Sequence, residues 1–398
     1  MKQAMALFGI LLLLLPWNAV AKKKQHIPLD LAVFHNNQGI RFLGEENLDK
    51  AMWEFKTAVE LDPLYPGAQS NLGLIHKYRG ESDQALSSFK TAIQLDPKWA
   101  TPYNHVGTVY LDKGQLDLAI TYFKKAGEKD KKFADAFYNL GLAYLRLADR
   151  TKLPRKHWKS AVQAFRRATT IDPRLYHAHL DLAGTYRKLG DWEKAILRYR
   201  LAIETNPADP IPWQRLGELY IEKGDPLKAE DCFKNARQLS PNSDESYLSL
   251  GESYLKQSRY GDALAAFSQA IKTNPRNAKA YFDLGYAYAA QGNEEESVSA
   301  YHHAIELQPD FLEAHYNLAL VYIAAQKPHE AELSLQEALR INARHSPALY
   351  DLAQLYDQQG KSKEAANYFC LFVKSAGHAL PDEVRLAKGR IDQLGGCP

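Results

Sequence analysis

The sequence predicts an all-α fold made of repeated helix–turn–helix units, and three observations carry that expectation. A pattern returns every 34 residues, small side chains hold two fixed positions of the period, and large apolar rings hold two others. The best-formed unit runs from Ile211 to Pro241. It places Trp213, Leu216, Gly217 and Tyr220 on a first helix, turns at Lys223-Gly224-Asp225, and continues with Ala229, Phe233 and Ala236 before Pro241.

With Trp213 as position 4, units start at residues 32, 66, 100, 134, 176, 210, 244, 278, 312 and 346. Position 8 reads Gly39, Gly73, Gly107, Gly141, Ala183, Gly217, Gly251, Gly285, Ala319 and Ala353. Nothing larger than a methyl group appears there, as a close approach of two helix axes requires. Position 20 on the facing helix is alanine throughout except Ser297. Position 24 reads Phe55, Phe89, Phe123, Phe165, Tyr199, Phe233, Phe267, Tyr301, Leu335 and Phe369, and position 11 is mostly tyrosine. Burying each such ring contributes roughly 1.5–3 kcal/mol, so these aromatics are expected in a core and not in a ligand cage.

Helix ends are marked as clearly. Pro63, Pro97, Pro173, Pro207 and Pro275 close second helices because proline cannot continue the hydrogen-bond ladder. Gly80, Gly114, Gly190, Gly224, Gly292 and Gly360 are suited to the turns between helices. The fourth unit is eight residues too long, with the extra segment near 149–156, where Pro154 forbids a simple helix extension.

On these residues the chain resembles the tetratricopeptide repeat family over about 32–376. The resemblance implies an α-solenoid of about ten repeats coiled into a right-handed superhelix, used as a non-catalytic scaffold for protein–protein interaction. Segment 381–394, with Pro381, Asp382 and Glu383 ahead of Val384, Ala387, Ile391 and Leu394, is expected as a helix capping the last apolar face.

The first 21 residues differ in kind. Lys2, an apolar run from Ala4 to Leu15 and Ala19-Val20-Ala21 have the layout of a secretory signal peptide cleaved after Ala21. The run is shorter than the ~20 residues of a spanning helix, so no membrane span is expected after cleavage. Residues 22–31 then read as a basic linker, and the protein as periplasmic or secreted; a signal peptide ahead of an uninterrupted array resembles the exported bacterial envelope members of that family.

Fifty basic and 47 acidic residues leave a formal net charge of +3, which gives no reason to expect a nucleic-acid partner. No Walker loop, Rossmann glycine run, G-x-S-x-G or H-E-x-x-H appears, so no catalytic residue and no cofactor is assigned. His177 with His179, and His302, His303, His315 and His329, cluster in sequence but point to different helix faces, so no metal site is assigned. Cys370 and Cys397 flank the terminal segment and could staple it in an oxidising compartment.

Candidate binding residues lie on the inner, concave face, at positions 2, 5, 6, 9, 12 and 13. Position 6 carries Asn37, Asn71, Asn139, Asp181, Asp283, Asn317 and Asp351, side chains able to bond the backbone of an extended peptide or to serve a neighbouring turn. The stripe resembles the asparagine ladder in the repeat region of O-GlcNAc transferase. Position 5 turns apolar late in the chain, at Leu248, Phe282, Tyr316 and Tyr350, which suggests a greasier groove there. A basic cluster of Arg146, Arg150, Lys152, Arg155, Lys156 and Lys159 marks the insertion. It reads either as a solvated turn or as a docking patch for an acidic partner, phospholipid headgroups or an anionic glycan.

The expected function is to hold an extended peptide or partner subunit in the groove, assisting assembly of an envelope complex such as a pilus or secretion system. A substrate-presenting module of a separately encoded glycosyltransferase or protease system is the alternative. Self-association through the uncovered N-terminal repeat would give a homo-oligomer.

Overall fold

The computed structural model describes residues 17–376 and 381–397, with side chains from residue 30 onward. It is helical throughout the described residues and divides into two compact units, Met1–Thr205 and Asn206–Pro398. The first contains α1 (Trp17–Gly44), α2 (Leu48–Leu61), α3 (Pro66–Tyr78), α4 (Ser82–Leu95), α5 (Ala100–Asp112), α6 (Leu116–Lys129), α7 (Ala134–Ala148), α8 (Pro154–Ile171), α9 (Tyr176–Leu189) and α10 (Trp192–Thr205). The second contains α11 (Ile211–Glu222), α12 (Pro226–Leu239), α13 (Asp244–Lys256), α14 (Tyr260–Thr273), α15 (Ala278–Ala290), α16 (Glu294–Leu307), α17 (Leu312–Ala324), α18 (Pro328–Ile341), α19 (Ser346–Gln358), α20 (Ser362–Ala376) and α21 (Pro381–Gln393).

Residues 1–16, which hold most of the expected signal peptide, lie outside the described residues. Residues 22–31, read from sequence as a linker, are helical within α1, Pro28 included.

Each odd-numbered helix packs against the even-numbered one that follows. The glycines expected in the turns take positive φ: Gly80, Gly114, Gly190, Gly224, Gly292 and Gly360 lie between 70° and 80°. In three units that lack that glycine, Glu46, Ser258 and Gln326 adopt the same left-handed turn at φ of 58°, 55° and 55°, whereas the longer turn between α7 and α8 contains no such residue. The short connection between paired helices thus demands the left-handed turn, and non-glycine residues there carry some strain.

The small residue at position 8 has a more specific partner than a facing helix backbone. A Cβ added at Gly217 would stand 2.5 Å from Cε1 of Phe233, and one at Gly39, 2.5 Å from Cε1 of Phe55. Gly73, Gly107, Gly141, Gly251 and Gly285 likewise face the position-24 ring of their own pair. The rings of Phe55, Phe89, Phe123, Phe165, Phe233 and Phe267 are almost completely buried. The hydrogen at position 8 is therefore the seat of the ring, and the ring fills the pair. At Ser297, which replaces the position-20 alanine, the hydroxyl donates to the Gly285 carbonyl at 2.8 Å, so no buried polar group is left over.

The eight-residue insertion is divided in three. Relative to the preceding pair, α7 gains two residues, the turn gains two, and α8 gains one helical turn of four, with Pro154 at its start.

At the other end α21 covers the last pair. Ala387 and Ile391 join the core of α19 and α20, and Val384 and Leu394 pack beside them. Arg390 grips Asp357 through two nitrogens, at 2.7 and 2.8 Å. Cys370 on α20 and Cys397 after α21 are joined as a disulfide, their Cα atoms 6.0 Å apart and 27 residues apart in sequence. Closing a loop of that length is worth roughly 3–4 kcal/mol in the chain-entropy account. Cys397→Ser is expected to lower the stability of the terminal helices by about that amount. A urea melt of the variant coinciding with that of the oxidised protein would contradict this.

Candidate functional site

Within each unit the odd-numbered helices of successive pairs touch one another: α1 with α3, α3 with α5, α5 with α7, and likewise α11 with α13, α13 with α15, α15 with α17. Crowding on that side makes it the inner face of the stack. Positions 5 and 6 of the odd-numbered helices lie along it, and the structure ties them to each other.

In four places the side chain at position 6 of one pair meets position 5 of the pair before. Asn71 donates from Nδ2 to Asn36 at 2.8 Å, and Asn139 donates to Asn104 at 3.0 Å. The Tyr138 hydroxyl donates to Asp181 at 2.9 Å, and the Tyr316 hydroxyl donates to Asp351 at 2.8 Å. Three of these pairs are 35 residues apart and the fourth 43, the difference being the eight-residue insertion. Burial pushes the carboxyls of Asp181 and Asp351 up and the Tyr138 and Tyr316 hydroxyls up as well.

Where position 5 offers no polar atom, position 6 turns elsewhere. Phe282 has none, so Asn317 donates to the Glu313 carbonyl at 2.8 Å. Leu248 has none, so Asp283 is met instead by Lys279 at 2.7 Å, and Lys279 also reaches Glu252 at 2.6 Å. Burial, partly offset by Lys279, pushes the Asp283 carboxyl up to about 6. Asn37 is exposed.

Much of the amide-and-acid stripe is thus a fastening between repeats. Asn36 and Asn104 are 4 % and 6 % exposed, so removing their partners leaves a buried amide acceptor unmet, at roughly 1–3 kcal/mol. Asn139→Ala is expected to destabilise the first unit by that amount in equilibrium urea unfolding, whereas Asn37→Ala leaves it unchanged. Equal midpoints for the two variants would refute the fastening.

Position 5 in the second unit is packed as well. Phe282 lies against Tyr301 and Phe311, with centroids 5.8 and 5.0 Å away, and Tyr350 lies against Phe369 and Phe372 at 5.9 and 4.9 Å. The apolar lining of the groove comes from other positions. Tyr286 and Leu320 at position 9 are 48 % and 37 % exposed and flank a cavity of about 380 Å³. Its walls are Ala289, Ala290, Val321, Ala324 and Ala325, Tyr301 contributes its ring, and Asn317 and Glu294 supply polar atoms. The sequence carries a readable sign of this opening. Position 13 is charged in five consecutive units (Asp112, Arg146, Lys188, Glu222, Lys256) and then becomes Ala290 and Ala324.

In the basic cluster, Arg146 and Arg150 donate to the carbonyls of Leu111 and Gly114, each at 3.0 Å, completing the end of α5. Lys152, Arg155, Lys156 and Lys159 are exposed. Two of the histidines have structural duties: His179 and His315 reach the carbonyls of Pro173 and Pro309 at 3.0 and 2.9 Å, as the Tyr103 hydroxyl reaches Pro97.

His105, the position-6 residue of α5, is enclosed against Phe89, and its Nδ1 has no partner among the described residues. Burial, with the Lys77 charge second, pushes its ring down to about 4 from 6.5. The folded state therefore resists a proton that the unfolded chain accepts. The stabilising contribution is complete above pH 6.5 and is lost as pH falls toward about 4, by at most about 3 kcal/mol. His105→Asn is expected to flatten the acid limb of the stability–pH curve, and an unchanged slope would contradict the assignment.

Models described as tetratricopeptide repeat match residues 66–98, 212–243, 248–310, 295–347 and 316–376, and one described as TPR repeat matches 107–147 and 184–224. The chain belongs to the tetratricopeptide repeat family. Among solved structures, MamA is 27 % identical, covering 41 % of this chain and 95 % of its own at a TM-score of 0.38. Yeast Tom70 is 14 % identical over 91 % of this chain and 96 % of its own, at 0.47. The C-terminal part of a TPR repeat-containing protein from Cytophaga hutchinsonii is 17 % identical over 61 % and 96 %, at 0.51, and shares the fold. No curated protein matches the chain. A tetratricopeptide array is a protein–protein interaction scaffold, and this chain is built as one.

Proposed function

We propose that this tetratricopeptide protein is a non-catalytic scaffold that holds an extended segment of a partner protein along the inner face of its second unit. The observation that carries the reading is the cavity between α15 and α17. Its size suits one or two apolar side chains, and its walls are mostly apolar, from alanine, valine, leucine and tyrosine. Tyr286 and Asn317 also line it and bring polar atoms that a peptide backbone could meet.

The protein acts outside the cytoplasm in this reading, in the periplasm or secreted, assisting assembly of an envelope complex such as a pilus or secretion system. The signal-like layout of residues 1–21 supports export, and the Cys370–Cys397 disulfide suits an oxidising compartment. Fractionation with N-terminal sequencing tests the location. A mature chain starting at Lys22 in the envelope fraction is expected, and a cytoplasmic chain retaining residues 1–21 would contradict it. For the groove, the test is whether partner binding follows the residues that line the cavity, as argued below.

A further inference from the structure

The insertion in the fourth unit concentrates charge in a way that the rest of the molecule does not. Residues 150–171 contain seven Lys and Arg and no Asp or Glu, which more than accounts for the +3 of the whole chain. None of the seven forms an ion pair with a carboxylate among the described residues. Arg150 donates to the Gly114 carbonyl at 3.0 Å and Arg167 to the Lys131 carbonyl at 3.2 Å, neutral acceptors that fix the side chains and leave the charges uncancelled.

The lengthened turn and the start of α8 form an exposed basic knob. Helix α8 buries Ala161, Val162, Ala164, Phe165 and Ala168 and turns Arg155, Lys156, Lys159, Arg166 and Arg167 outward. Its added first turn carries cations where the helix N-terminus already presents positive charge, an arrangement that costs stability unless an anion offsets it. Ahead of that turn stands Leu153, 70 % exposed, between Lys152 and Pro154.

We propose that this knob docks on an anionic phospholipid surface, with Lys152, Arg155, Lys156 and Lys159 over the headgroups and Leu153 inserted at the acyl boundary. A single outward-facing helix offers charge but no register for a peptide backbone, whereas a bilayer surface requires only unpaired cations and a shallow apolar anchor. The site is independent of the groove in the second unit. A scaffold tethered this way holds its partner close to the membrane.

The test is sedimentation of the purified protein with vesicles of phosphatidylcholine containing about three parts in ten phosphatidylglycerol, against phosphatidylcholine alone. Each cation near such a surface is worth about 1 kcal/mol, or roughly fivefold in affinity. The variant Lys152→Gln, Arg155→Gln, Lys156→Gln, Lys159→Gln is therefore expected to bind anionic vesicles at least about a hundredfold more weakly. These four side chains hold no neighbour in place and some crowd the positive end of α8, so its melting temperature should equal or slightly exceed that of the parent. Leu153→Ser should weaken binding about threefold to tenfold. Release on raising ionic strength from about 0.1 M to 0.5 M is also expected. Equal binding to neutral vesicles, or full binding by the fourfold variant, overturns the proposal. Salt-sensitive capture of polyglutamate by the parent protein with no binding to anionic vesicles also overturns it, in favour of an acidic protein partner.

Discussion

Gly217→Leu is expected to be the most damaging single substitution, lowering the unfolding free energy of the second unit by about 3 kcal/mol or more. The new Cβ alone would stand 2.5 Å from the Phe233 ring, and the ring cannot retreat because it is 2 % exposed and fills its helix pair. Separating α11 from α12 also costs their stacking on the next pair, since stability in an array is shared between neighbours. A double variant with Phe233→Ala should recover about 1 kcal/mol or more, because the leucine then enters the space the ring has left. Leu333→Ser, at an outward site 51 % exposed, serves as the control and should stay within about 0.5 kcal/mol. Melts of Gly217→Leu that coincide with those of the parent would show that position 8 is not the seat of the ring.

Leu320→Glu is expected to weaken partner binding at least about tenfold while changing stability by no more than about 0.5 kcal/mol. The side chain is 37 % exposed at the edge of the cavity, so a carboxylate there keeps its water in the free protein. In the complex it would lose that water against an apolar side chain, with no partner to compensate. Ala324→Trp approaches the same site from the other direction, filling the cavity with protein and leaving no place for an anchor. If both variants bind as the parent does, the cavity takes no part in recognition.

The fold was legible in the sequence because packing repeats every 34 residues and leaves the same size constraint each time. Gly39 to Gly285 at position 8 and Phe55 to Phe267 at position 24 could each be read singly, and only the structure shows that one is the socket of the other. The site was less legible. Asn71 and Asn139 have the right residue type and spacing for a peptide ladder, yet the same side chains serve to fasten one repeat to the next. The two duties cannot be told apart without knowing that Asn36 and Asn104 lie opposite. Tyr316 and Tyr350 looked like groove anchors for a related reason. An aromatic ring is apolar whichever way it points, and these two pack onto Asp351, Phe369 and Phe372. The cavity arises from what is missing, the charged residue at position 13 that Ala290 and Ala324 replace. The change at position 13 is visible in the sequence, but what it opens is not until the surrounding walls are seen.

The most direct measurement of the central claim is site-specific photocrosslinking in living cells. A photoreactive residue is placed at Tyr286 or Leu320 on the inner face of the second unit, and in parallel at Leu307 or Leu333 on its second helices. The account predicts one discrete adduct, of the same mass, from both inner positions and none from the outer ones, lost when Ala324→Trp is added. Adducts formed at Leu307 or Leu333 while Tyr286 and Leu320 give none would contradict it.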